Sequence, residues 1–238
     1  MKKRFSSVLV YGFIFTLFPL FTAGATELSL TVKNLTHGVY FTPIFITAHA
    51  SDTHLFHTGT QASIELQAMA EGGDISGLSE LAGGVDADTV EDPAGGLLGP
   101  GQMASDITID TDQTGNTHLS LVAMMLPTND GFVGLDALAI PMVPGTYIYY
   151  LNGYDAGTEA NDERITGGGS PGVAGIPAAP GGDAGTGGTG VADIDTNTAV
   201  HIHRGVLGDT DSAGGPSDLD STIHRWLNPV AMVIIEVN

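Results

Sequence analysis

Residues 119–163 read LSLVAMMLPTNDGFVGLDALAIPMVPGTYIYYLNGYDAGTEANDE. It covers most of two apolar runs, 117–126 and 145–151, that predict β-strands. Asp130 follows the first run, and Asp155 follows the second. Because each carboxylate comes directly after a strand, we expect both to emerge at the same end of a β-domain.

The rest of the chain shows the same pattern of short strands. Residues 27–33 alternate between apolar and polar side chains, which is the period of a half-buried strand. Further strands are predicted at 41–49, 106–110, 199–203 and 229–237. Residues 62–70 predict one short helix, and residues 72–105 are interpreted as a long loop that carries one helical turn. Many short strands without a βαβ rhythm favour an all-β fold, an antiparallel β-sandwich with long glycine-rich loops.

The N-terminal segment 1–25 has the pattern of a Sec-type signal peptide. Basic residues at positions 2–4 precede an apolar run at 8–21. This run has 14 residues, fewer than the roughly 20 that a membrane span needs, and small residues follow it as in a cleavage site. We predict cleavage after Ala25, so that the mature chain is secreted to the extracellular space or the periplasm and has no membrane span.

The mature chain, residues 26–238, is interpreted as a single domain. Segment 166–190 contains 11 glycines and 3 prolines in 25 residues, which is too little apolar surface to offset the entropy of ordering it. Strand-like sequence continues on both sides of this segment. We therefore predict a flexible glycine- and proline-rich loop inserted into one domain, not a linker between two.

The acid content of the chain excludes several classes of function. The 238 residues include 27 acidic and 7 basic ones, for a net charge of −20. Three of the basic residues and no acidic residue lie in the signal peptide, so the 213 mature residues carry a charge of −23. Such a surface cannot form the cationic footprint that binds nucleic acid. The chain has no cysteine, which excludes disulfides, thiol catalysis and thiolate metal sites.

Two linked motifs carry a family resemblance. Residues 127–138 fit the pattern PxxDxFVGxDxL, and residues 154–159 read YDAGTE. With these motifs, the chain resembles bacterial spondin-domain proteins and is similar to the N-terminal spondin domain of F-spondin and mindin. A looser similarity covers 34–74 and 200–237, so the resemblance spans most of the mature chain.

The resemblance implies a fold and a metal site. The implied fold is an antiparallel β-sandwich of about eight strands, similar to calcium-dependent lipid-binding domains. One Ca²⁺ is expected near one end, with Asp130, Asp155 and Glu159 as ligands, although animal members have Asp in place of Glu159. The chemistry agrees, because Ca²⁺ takes about six to eight oxygen ligands from carboxylates and carbonyls on adaptable loops. Asp136 is interpreted as a hydrogen-bond acceptor that holds a turn at 131–135, with direct ligation of the ion as the alternative.

The resemblance also implies a function, that of a secreted adhesion or surface-interaction module without catalytic activity. Its partner would be an extracellular or cell-surface protein or glycan. A second hypothesis is copper or zinc binding by His201 and His203, which lie two apart in a predicted strand and so project from one face. The alternative for this pair is hydrogen bonding to loop carbonyls or carboxylates. A third hypothesis is a secreted hydrolase that uses Asp155 and Glu159 as acid and base.

Overall fold

The computed structural model describes residues 27–111, 114–194 and 197–238, so the predicted signal peptide lies outside the described residues. These residues form ten strands and two helices. The strands are β1 Glu27–Asn34, β2 Tyr40–Phe41, β3 Phe45–His49, β4 Asp88–Glu91, β5 Met103–Asp110, β6 His118–Leu126, β7 Gly131–Ala139, β8 Gly145–Asp155, β9 His201–Ile202 and β10 Ala231–Val237. The helices are α1 Ile64–Gly72 and α2 Ser76–Gly83.

Antiparallel pairing connects these strands into one sheet. The order along the sheet is β4-β3-β6-β7-β8-β10-β1-β5, with β2 paired to β6 and β9 paired to β8. The two end strands, β4 and β5, also lie in contact with each other. The sheet is therefore nearly closed, like a barrel, around the main hydrophobic core.

Strand β8 joins the two halves of the sheet. Its first part, 145–151, pairs with β10, and its last part, 152–155, pairs with residues 131–134 of β7. The predicted antiparallel β-fold is confirmed. The described strands number ten instead of about eight, and one continuous path of pairing links them.

Alternating apolar side chains build the main core. In β1, Leu28, Leu30 and Val32 are at most 1% exposed, and the residues between them are partly exposed. Val233 and Ile235 of β10 pack into the same core. Burying one such side chain contributes about 1.5–3 kcal/mol, so a one-residue slip of either strand would be costly.

A second core lies between the helices and the opposite face of β6. Leu66 and Met69 of α1 belong to this core together with Val122 of β6 and Phe132 of β7. Alternate β6 residues belong to the main core, so β6 is buried on both faces. Burial on both faces explains its continuous apolar sequence, LVAMML at 121–126.

Helix α1 confirms the predicted short helix, with both ends two residues later than predicted. The Ser63 hydroxyl caps its first turn by accepting the Leu66 N–H at 3.1 Å. The helix ends where Gly73 takes a left-handed φ of 73°. The prediction of a single helix is wrong, because α2 follows within four residues.

Two further sequence predictions are wrong. Residues 72–105 are not a long loop with one helical turn, because they include the eight-residue helix α2 and the strand β4. Residues 131–135 do not form a turn, because they belong to β7. Gly134 suggests a turn in the sequence, but it lies inside a strand. Glycine is needed there because a Cβ would lie 2.7 Å from the Phe56 ring, which packs against the backbone at this position.

All of segment 166–190 is described, and it contains no helix or strand of its own. Ile176 is fully buried in the main core and forms a bridge with Ile165. The Gly172 N–H donates to the Glu71 carboxylate at 2.6 Å. The segment is therefore attached to the domain at these points, and its flexibility stays a prediction.

Replacing Ile235 by Ala should lower the free energy of unfolding by about 2–5 kcal/mol, because the change leaves a cavity in the main core. Ile148→Ala is the matched control, since Ile148 lies on the neighbouring strand β8 and is 54% exposed. Its effect should stay below about 1 kcal/mol. Urea unfolding of the protein and both variants measures these differences, and equal losses would contradict the described core.

Candidate metal centre

The two acidic residues that follow the apolar strands meet at one end of the sheet. β7 begins at Gly131, directly after Asp130, and β8 ends at Asp155. Gly131 and Asp155 pair across the two strands, and the Ala156 N–H donates to the Asp130 carbonyl oxygen at 3.2 Å. Asp130 is fully buried, and Asp155 is 2% exposed. The structure thus places both carboxylates at the same end of the domain.

The Asp130 carboxylate is hydrogen-bonded through one oxygen only. Its Oδ2 accepts the Thr158 N–H at 2.7 Å, the Thr158 hydroxyl at 3.2 Å and the Glu159 N–H at 3.1 Å. Its Oδ1 is buried and has no hydrogen-bond partner. A buried carboxylate oxygen without a donor is costly, so a proton or a cation beside it would stabilise the fold.

Asp155 is oriented by the loop that follows β8. Its Oδ1 accepts the Gly157 N–H at 2.9 Å, and its Oδ2 accepts the Asn161 side-chain amide at 2.7 Å. Gly157 has a φ of 70°, and a Cβ there would lie 2.7 Å from the Ala199 nitrogen, so the loop requires glycine at this position. Asn161 and His201 line a surface cavity, which therefore lies one hydrogen bond away from the buried carboxylate.

Little positive charge balances these two carboxylates. In the described part of the chain, no Lys or Arg forms an ion pair with a carboxylate, and His201 Nε2 lies 3.7 Å from Asp155 Oδ2. Burial, together with the Asp155 charge, raises the pKa of Asp130 to about 7, and the hydrogen bonds from Thr158 and Glu159 act in the opposite direction. The pair is thus able to bind a proton or a cation near neutral pH.

Glu159, the third predicted ligand, contacts this pair through its backbone, but its carboxylate points elsewhere. Its N–H donates to Asp130, as described above. Its Oε2 accepts the Asn129 side-chain amide at 3.2 Å and the Gly175 N–H at 2.9 Å. Its Oε1 is buried and has no hydrogen-bond partner.

The Glu159 carboxylate lies near two other acidic side chains, those of Glu71 and Asp162. Burial raises the pKa of Glu159 to about 7, and the charges of Glu71 and Asp162 add to this rise. The structure therefore brings the Asp130 and Asp155 carboxylates together and places the Glu159 carboxylate in a different group.

Comparison with known protein families identifies the domain. The Spondin_N family model matches residues 33–163, which is 131 of the 238 residues. The chain belongs to the Spondin_N family. This confirms the resemblance found in the sequence, and the matched range includes the three predicted ligands, Asp130, Asp155 and Glu159. A comparison with curated proteins gives no match.

Membership of the Spondin_N family indicates an extracellular module of a non-enzymatic type. Among the described residues, neither helix is long enough and apolar enough to span a lipid bilayer.

The strand ends of the Spondin_N domain present carboxylate oxygens, the type of ligand atom that Ca²⁺ takes. Ca²⁺ prefers hard oxygen ligands, and carboxylates are the strongest of these in proteins. Asp130 and Asp155 supply two buried carboxylates, and the Oδ1 of Asp130 has no competing donor. The Glu159 carboxylate accepts hydrogen bonds from Asn129 and Gly175 through Oε2, but its Oε1, like Oδ1 of Asp130, has no hydrogen-bond partner and could contact a divalent cation.

Asp136 of the Spondin_N domain holds a neighbouring segment of the chain. Its Oδ1 accepts the Leu55 N–H at 2.8 Å, and its Oδ2 lies 2.6 Å from His54 Nδ1. Among the described residues, His54, His57 and Asp136 are the one group of three possible metal-binding residues whose ligand atoms lie within 4.8 Å of one another. Sequence reasoning missed this group, because Asp136 lies 82 residues from His54. The short spacing between the two histidines was the available signal.

His201 and His203 each contact the local backbone. His201 Nδ1 lies 2.8 Å from the Ala199 carbonyl oxygen, and His203 Nδ1 accepts the Gly205 N–H at 3.0 Å. His203 is buried, and its ring centroid lies 4.9 Å from that of Trp226. These contacts favour the hydrogen-bonding interpretation of the pair over metal chelation.

Without metal, the Spondin_N domain should be less stable at about pH 8 than at about pH 5. The pKa of Asp130 rises from 3.8 to about 7 on folding. Because the folded state binds the proton more tightly, the stabilisation is complete below pH 3.8 and is lost as the pH rises through about 7. Thermal unfolding in EDTA across this range measures the effect.

Asp130→Asn should weaken this pH dependence, because the amide keeps the size of the side chain and an acceptor for Thr158 but has no charge. Part of the dependence should remain, since the pKa of Glu159 is raised in the same direction. Asp52→Asn is the control, because Asp52 is exposed, and it should leave the profile unchanged. Identical profiles for the protein and for Asp130→Asn would show that Asp130 is not the titrating group.

Proposed function

We propose that this protein is a secreted spondin-type module that binds calcium where β7 begins and β8 ends, and that it interacts there with an extracellular or cell-surface partner. One observation carries the proposal. The Asp130–Asp155 pair is buried, has a carboxylate oxygen without a donor, and lies inside the range that the Spondin_N model matches. In this proposal both aspartates are ligands, and the ion supplies the positive charge that neutralises them.

Calcium suits this pair better than a softer or a smaller ion. The available ligands are carboxylate oxygens, whereas copper and zinc prefer nitrogen or sulfur. Mg²⁺ demands a near-octahedral shell, but Ca²⁺ accepts irregular sets of ligands from loops. The loop after β8 provides such a setting, because Gly157 and Asn161 already orient Asp155 by hydrogen bonds.

Glu159 is proposed as the third and weakest ligand. Its Oε2 accepts hydrogen bonds from Asn129 and Gly175, which would compete with an ion beside the aspartates. Its Oε1 has no hydrogen-bond partner, so one oxygen is available for such a contact. We therefore expect Glu159→Gln to weaken calcium binding less than Asp130→Asn does.

The charge of the protein limits its partner. At a net charge of −20 before export and −23 after it, the chain repels nucleic acid. A bound cation at the end of the domain would give this acidic surface a point of attachment for an extracellular or cell-surface protein or glycan that carries oxygen ligands.

Calcium should raise the thermal midpoint of the EDTA-treated protein, since a ligand at about 100 times its Kd stabilises the folded state by about 2.7 kcal/mol. Asp130→Asn and Asp155→Asn should each abolish the rise, and Glu159→Gln should reduce it. The control Asp52→Asn should retain it in full. A midpoint that does not respond to calcium, or a rise that survives in both aspartate variants, would refute the site.

Calcium-dependent attachment can be tested by binding the labelled protein to arrays of glycans and of extracellular-matrix proteins. We expect binding that EDTA removes and that added calcium restores. Asp130→Asn should fail to bind, and Asp52→Asn should bind normally. Binding that persists in EDTA would show that the interaction does not depend on the calcium site.

A further inference from the structure

Two histidines and an aspartate form a cluster beside β7 that the calcium proposal does not use. His54 Nδ1 lies 2.6 Å from Asp136 Oδ2, and the ring centroids of His54 and His57 are 4.0 Å apart. The ligand atoms of the three residues all lie within 4.8 Å of one another. Two imidazoles and a carboxylate are a ligand set that suits zinc and copper ions.

The segment that carries the histidines is fixed in place by its neighbours. The Leu55 N–H donates to Asp136 Oδ1 at 2.8 Å. Phe56 lies between the two histidines in the chain and is 7% exposed. The centroid of its ring lies 5.1 Å from the ring centroid of Phe132 and 4.9 Å from that of Tyr154. The histidines are therefore held next to β7 by a buried aromatic anchor, which lowers the entropy cost of gathering the ligands around an ion.

A small movement of the side chains would let the cluster accept an ion. Two ligand atoms at about 2.0–2.1 Å from zinc lie about 3.3 Å apart in a tetrahedral site, so the His54–Asp136 contact of 2.6 Å has to open by about 0.7 Å. The His54 side chain is 31% exposed and that of Asp136 is 14% exposed, so both can adjust. His57 and Asp136 also line a surface cavity with Tyr150, which offers an open position for a fourth ligand.

We propose that His54, His57 and Asp136 bind one Zn²⁺ or Cu²⁺ ion, in a site separate from the calcium site. The two sites differ in chemistry, because this one has two nitrogen ligands and the other has carboxylate oxygens only. The two sites are connected by β7, because Asp136 lies inside this strand and Asp130 directly precedes it. The ion would join the 54–57 segment to β7, where Asp136 already holds it by hydrogen bonds.

Isothermal titration of the untagged, EDTA-stripped protein with ZnCl₂ and with CuCl₂ tests this site. Excess calcium is present throughout, so that the carboxylate pair is occupied. One ion should bind per chain, and His57→Ala should weaken its binding about tenfold or more. His57 is exposed, so this variant should fold normally, which its thermal unfolding in EDTA checks. His37→Ala is the matched control, because His37 is also exposed and lies on another segment, and it should bind as the unmodified protein does.

Three outcomes decide the question further. Copper bound to the protein should show an electron paramagnetic resonance signal with splitting from two imidazole nitrogens. In His54→Ala, the splitting should come from one imidazole nitrogen only. Loss of zinc binding in His201→Ala or His203→Ala, but not in His57→Ala, would overturn the proposal in favour of that other pair. Loss in Asp130→Asn would place zinc at the carboxylate pair and would also overturn it. If calcium does not bind, the carboxylate pair stays open to zinc in this titration, and the Asp130→Asn variant then distinguishes the two sites, because they share no ligand.

Discussion

The pairing of Gly131 with Asp155 is the constraint on which the rest of the site depends. Strand β8 changes its partner from β10 to β7 after residue 151, so its last residues lie beside the start of β7. This change brings Asp130 next to Asp155 and buries both. Two buried carboxylates repel each other, and the surrounding hydrogen bonds offset only part of that repulsion. The fold therefore contains a local electrostatic cost that a bound proton or cation removes.

Much of the fold follows from periodicity, and the exceptions follow from packing. The alternation in β1 and the helix after Ser63 were predictable, because each depends on neighbours along the chain. Strand β7 was not, because the glycines in its sequence suggest a turn. Gly134 is needed because the Phe56 ring occupies the space of a side chain. That ring comes from a distant segment, so the sequence alone does not reveal the requirement.

The candidate sites divide in the same way. Asp130 and Asp155 follow apolar strands, and their meeting could be predicted from that position. The direction of the Glu159 side chain could not, because it is set by Asn129 and by Gly175 of the glycine-rich segment. The contact of His54 with Asp136 was equally hidden, since it depends on which residues of β7 face the 54–57 segment.

Segment 166–190 supplies the interior of the domain with two hydrogen-bond donors and one core side chain. The N–H groups of Gly172 and Gly175 bond to the buried carboxylates of Glu71 and Glu159, and Ile176 fills the main core. A chain shortened here to aid crystallisation would keep all ten strands but would leave two buried acids with fewer donors and open a hole beside them. Labels and insertions belong instead at the connection between β7 and β8, where Met142 is 76% exposed.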